Sequence, residues 1–91
     1  MNDFDFFIKG VTVDLIYSSL GSINENFISI SFDVYNNQIL IKFLLKEITE
    51  IEDELIYDII AEYSALQDNC AEVKIKTVTI EIGKYIVFHV K

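Results

Sequence analysis

Proline and arginine are absent from this chain, histidine and cysteine occur once each, and there are only three glycines. Each scarcity removes a class of function. A lone His89, alternating with Val87 and Tyr85 in an apolar run, cannot build a metal triad and reads as a structural residue. Cys70 has no CxxC partner and no base near it in sequence, so it reads as a packed thiol rather than a nucleophile, and it cannot close an intramolecular disulfide. Small secreted domains usually lean on several bridges, so a cytoplasmic setting is expected. Gly10, Gly21 and Gly83 are isolated, which excludes a glycine-rich phosphate loop and suggests three turns. No basic region stands where a secretion signal needs one: the chain starts Met1, Asn2, Asp3, Phe4, Asp5. The most apolar stretch, Ile39 to Leu45, contains Lys42 and is far shorter than the roughly 20 residues of a membrane span.

What is present is a short chain rich in apolar residues. At 91 residues and 52% hydrophobic, it is expected to form a single domain over 1–91 with one core. Asn36 and Asn37 separate two apolar runs, a hairpin signal. Before them Ile28, Ile30, Phe32 and Val34 alternate with Ser29, Ser31 and Asp33; after them Ile39 to Leu45 reads as a central strand covered on both faces. Val11, Val13, Leu15 and Tyr17 also alternate, suggesting a further strand, although Leu15 to Leu20 fits a helix as well. Residues Met1 to Lys9 carry Phe4, Phe6, Phe7 and Ile8 and are expected to pack on the core.

The best-defined element is a helix over 49–66. Thr49 with Glu52 forms a capping box, and Ile51, Leu55, Ile56, Ile59, Ile60, Tyr63 and Leu66 gather on one broad side. Gln67, Asp68 and Asn69 end it. Beyond, Val73 and Ile75 are out of step with Val78, Ile80 and Ile82, which a bulge or bend near Lys76 and Thr77 would reconcile. Gly83 and Lys84 resemble a hairpin turn into Tyr85 to Val90. The expected architecture is therefore α+β: an antiparallel sheet of about five strands, in chain order βββαββ, covered on one face by a single amphipathic helix.

Charge is placed unevenly. Fifteen acids face seven lysines, a net charge of -8, which disfavours nucleic-acid binding. Eight acids, Glu47, Glu50, Glu52, Asp53, Glu54, Asp58, Glu62 and Asp68, lie between residues 47 and 68 with no base among them. The other seven acids match the seven lysines, so this segment holds the whole excess. Glu50, Asp53, Glu54, Asp58 and Glu62 project opposite the apolar stripe, with Tyr57 among them. Surface helices ordinarily carry charge outward, but a helix selected only for solubility mixes signs. Here Glu50 with Glu54, Glu54 with Asp58 and Asp58 with Glu62 are like charges four apart, each costing roughly 0.2–0.5 kcal/mol. A carboxylate ridge copies the charge of a nucleic-acid backbone and suits the basic groove of a protein partner, with Tyr57 as an aromatic anchor. No EF-hand spacing accompanies it, so neither a metal nor a cofactor is expected. Nor is enzyme activity, since these carboxylates lack the unequal, partly buried settings that acid–base catalysis requires.

The run Asn37-Gln-Ile-Leu-Ile-Lys-Phe-Leu-Leu-Lys-Glu-Ile-Thr49, passing into the acidic helix, resembles the small acidic immunity proteins of bacterial toxin systems, including contact-dependent growth inhibition. The resemblance covers residues 27–66. It implies a cytoplasmic inhibitor that binds one cognate toxin domain, often a nuclease. The partner surface expected from the residues themselves is Glu47, Glu50, Asp53, Glu54, Tyr57, Asp58, Glu62 and Asp68, facing a basic protein. The competing expectation is an oligomer, a homodimer for instance, that buries uncovered sheet against another chain.

Overall fold

The computed structural model describes residues 3–35, 38–66, 74–78 and 82–90, with backbone alone for 74–78. The elements are α1 (Asp3–Ser19), β1 (Phe27–Tyr35), β2 (Gln38–Leu45), α2 (Glu50–Leu66), β3 (Lys74–Val78) and β4 (Tyr85–His89). The fold is α+β, with two helices and four described strands in the sheet order β3-β2-β1-β4.

The two strands expected on either side of Asn36 and Asn37 are present and pair antiparallel from Phe27↔Leu45 to Tyr35↔Gln38. The Asn36–Asn37 turn between them lies outside the described residues. Ile30, Phe32, Ile39, Ile41 and Phe43 share one face, and each is at most 1% exposed. Phe27 meets Phe43 edge to face at 6.3 Å between centroids, and Phe32 stacks on Tyr85 at 5.1 Å. A register shift at Ile28 lets Phe27 join this face although it is three residues from Ile30.

Three expectations about architecture are corrected. First, Val11 to Tyr17 form no strand; they belong to α1, and Gly10 lies inside that helix rather than in a turn. Residues Phe7, Ile8, Val11, Leu15 and Ser18 line its inner side at helical spacing. Thr12 and Ser18 each donate a hydroxyl to the carbonyl four residues back, at 2.8 and 2.7 Å, so their donors are satisfied within the helix. The strand-like alternation arises because α1 is apolar on its outer side too, which erases the amphipathic signature. Gly21, with φ 78°, does mark the turn after the helix.

Second, one helix does not cover the sheet alone. The inner residues of α1 and α2 join a single core cluster, so the N-terminal segment, expected to pack on the core through residues 1–9, supplies further cover as the helix α1.

Third, β3 and β4 are not a hairpin. β3 runs parallel to β2, as a strand reached through a helical crossover can, while β4 pairs antiparallel with β1 on the opposite edge. Lys74 to Val78 pair with Gln38 to Lys42 in unbroken register, so the bulge expected near Lys76 and Thr77 is not there; the breaks fall at Phe27/Ser29 and Ile30/Ser31 instead. Gly83 and Lys84 bring the chain across β1: the Gly83 amide donates to Ser31 Oγ at 2.6 Å and the Lys84 amide to Asp33 Oδ1 at 2.7 Å. A methyl on Gly83 would stand 2.9 Å from the Phe32 carbonyl carbon and oxygen, so this glycine serves a close approach. The Lys42 ammonium holds Asp33 Oδ2 at 2.7 Å on the same side of the sheet, which keeps the Asp33 carboxyl below its ordinary pKa.

Candidate functional site: the acidic face of α2

The start of α2 is fixed by Thr49 and Glu52. The Glu52 carboxylate accepts from the Thr49 amide at 2.7 Å, from the Thr49 hydroxyl at 2.5 Å, and from Asn24 Nδ2 at 2.7 Å. The Thr49 hydroxyl oxygen accepts from the Ile51 amide at 3.2 Å. The capping box read from the sequence therefore exists, and Asn24 extends it into the loop before β1. Glu52 is only 2% exposed, and the Thr49 hydroxyl, with Asn24 beside it, holds its pKa down to about 2. Because Glu52 takes the inward place in the first turn, Ile51 of the expected apolar stripe is 64% exposed. Ile56, Ile59 and Tyr63 are buried as expected, with Leu55 and Ile60 half-buried against the core.

With its inner side anchored, α2 turns Glu50, Asp53, Glu54, Tyr57, Asp58 and Glu62 to solvent. Glu47 is exposed in the loop before the helix, and Asp68 lies outside the described residues. Tyr57 is 72% exposed. The Lys42–Asp33 ion pair lies on the sheet, away from this face. The carboxylates thus form one uncompensated ridge with an aromatic ring in its middle. Such a ridge can steer and hold a cationic surface.

Sequence reasoning missed what borders the ridge. Asp58, Ala61 and Glu62 face Tyr17, Leu20 and Ser22 across an open cleft between α2 and the end of α1. Tyr17 and Leu20 are 68% and 67% exposed. Their signal was in the chain: Phe6, Val13 and Leu20 recur every seven residues, with Tyr17 four after Val13. Among the described residues no group of His, Cys, Asp or Glu is arranged to hold a metal, and no helix is long and apolar enough to cross a membrane.

A family model described as MafI2 immunity protein matches residues 9–86. The chain belongs to the MafI2 immunity protein family. The match runs from within α1 into β4 and so takes in the whole acidic face of α2. Membership identifies a bacterial immunity protein of a polymorphic toxin system, whose partner is a cognate toxin. Proteins of immunity families generally act by binding rather than by catalysis. No curated protein matches the sequence.

Proposed function

We propose that this MafI2-family protein neutralises its cognate toxin in the cytoplasm through the acidic face of α2, engaging a basic surface on a nuclease domain. The toxin arrives by contact-dependent growth inhibition or a related polymorphic route. The observation that carries the reading is the ridge itself: five helix carboxylates exposed on one side around Tyr57, with Glu47 at its start and Asp68 following in sequence. A nuclease groove is cationic because it binds a polyanion, and a carboxylate ridge competes for the same charge. The protein does this as a binding module, without catalysis, cofactor or nucleic-acid contact of its own. Titration calorimetry of the cognate toxin domain with this protein, paired with an assay of the toxin's activity, tests the reading. A stoichiometric complex that silences nucleic-acid cleavage is expected. A toxin that binds but cleaves no nucleic acid would remove the nuclease assignment, and a complex indifferent to charge reversal on α2 would remove the site.

A further inference from the structure

α1 carries a second surface. Phe6, Gly10, Val13, Tyr17 and Leu20 follow one another at alternating intervals of four and three, the spacing of a coiled-coil seam, and all five are exposed. Phe6 is 73% exposed, Val13 57%, Tyr17 68% and Leu20 67%, with Ile16 beside them at 44%. Large apolar side chains exposed side by side in this way mark an interaction surface rather than scattered surface residues.

The seam also contains its own socket. A depression in α1 is lined by Phe6, Lys9, Gly10, Val13 and Asp14. The first four stand at i, i+3, i+4 and i+7, the set that forms a hole for a side chain of a facing helix. Gly10 deepens it, because a Cβ built there meets nothing within 4 Å. Phe6 and Leu20 stand seven residues either side of Val13, so in an antiparallel pair of α1 helices centred on Val13 the middle of this hole lies level with Ile16 and Tyr17 of the facing helix, and Phe6 lies level with Leu20. Tyr17 is thus placed to fill the Gly10 hole, and Phe6 to reach the cleft at Tyr17 and Leu20.

Charge selects the direction. That cleft is bordered by Asp58 and Glu62. A parallel pair would set the two acidic clefts side by side, whereas the antiparallel pair brings Lys9, the one lysine of α1, to the opposite copy's Asp58 and Glu62. Antiparallel helix dipoles favour the same choice.

We propose that the protein is a homodimer held by antiparallel pairing of its α1 helices, with Tyr17 of each copy seated in the Gly10 hole of the other. The pairing reaches Asp58 and Glu62 at the edge of the α2 ridge, but it rests on the α1 seam and stands whether or not α2 binds the toxin. Sedimentation equilibrium of the full chain, from low micromolar to near-millimolar protein, is expected to show a dimer. Val13→Asp sets two carboxylates against each other on the two-fold axis and is expected to yield a monomer with unchanged circular dichroism. Val13→Ser, a milder change at the same exposed position, is expected to weaken association with the fold intact. Lys9→Glu is expected to weaken the dimer about tenfold, and adding Asp58→Lys to restore it. A wild-type monomer throughout that range, or a dimer indifferent to both Val13 substitutions, overturns the proposal. Failure of Asp58→Lys to rescue Lys9→Glu overturns the antiparallel arrangement.

Discussion

α1 and α2 are each 17 residues long and pack on the same sheet face, yet one shows solvent an apolar seam and the other a carboxylate ridge. Their inner sides obey one rule. Val11 and Leu15 on α1 match Ile56, Ile59 and Tyr63 on α2, all buried in one cluster. The outer sides have no structural need to differ, since either would be soluble with mixed charges. Folding thus accounts for the inner stripes, and binding is the economical explanation of the outer ones: a charged, steering surface for a protein of opposite charge, and a seam that complements itself.

The hardest test of the common inner rule is truncation. Leu15→Ala and Ile59→Ala remove side chains with no exposed surface, and each is expected to cost about 2–5 kcal/mol in chemical denaturation. A much smaller loss for Leu15 would mean that α1 is an accessory and not half of the cover.

The outer faces are separated by function. Reversing Glu54, Asp58 and Glu62 to lysine is expected to slow toxin association about 10- to 100-fold at low salt. Val13→Asp, which frees Asp58 and Glu62 from the opposite copy's Lys9, is expected not to slow that rate in stopped-flow mixing, although it breaks self-association. If Val13→Asp slowed toxin binding equally, the two faces would be one interface.

Smaller effects sharpen the account at the helix start. Thr49→Ala removes the cap and is expected to cost about 1 kcal/mol. Glu52 titrates near 2 in the folded chain against an ordinary 4.5, so its contribution is complete above pH 4.5 and is lost as pH falls toward 2. Acid denaturation of Glu52→Gln should therefore show a flatter loss of stability across that window than wild type. The least effect is expected at Gly10, where Gly10→Ala adds helix propensity in open space and should raise monomer stability by about 0.5–1 kcal/mol, while making the hole in the seam shallower.

Legibility in the sequence followed the strength of the local signal. The α2 helix and its Thr49–Glu52 cap were readable because one side of the helix is buried and the other is not, β1 because its apolar and polar residues alternate, and β2 because its run is almost wholly apolar. α1 was legible only in part, with a helix offered as the alternative for Leu15 to Leu20, for the opposite reason: Val13 and Tyr17 on the outer seam interleave with Val11 and Leu15 on the inner side, and the mixture imitates a strand. The separation of β3 from β4 depends on which partners they choose across the sheet, and the close approach of Gly83 to Phe32 belongs to that long-range topology. For the site, the exposed acids and Tyr57 were legible from helical projection. The cleft with Tyr17 and Leu20 was not, because it exists only once α1 is a helix packed beside α2.

The central claim, that the ridge on α2 is the toxin-binding surface, is tested most directly by the association rate of protein and purified cognate toxin at increasing salt. The account predicts a rate that falls steeply with ionic strength for the wild type, and a slower, nearly salt-independent rate for the variant with Glu54, Asp58 and Glu62 reversed. Equal rates for the two proteins at low and at high salt would contradict it.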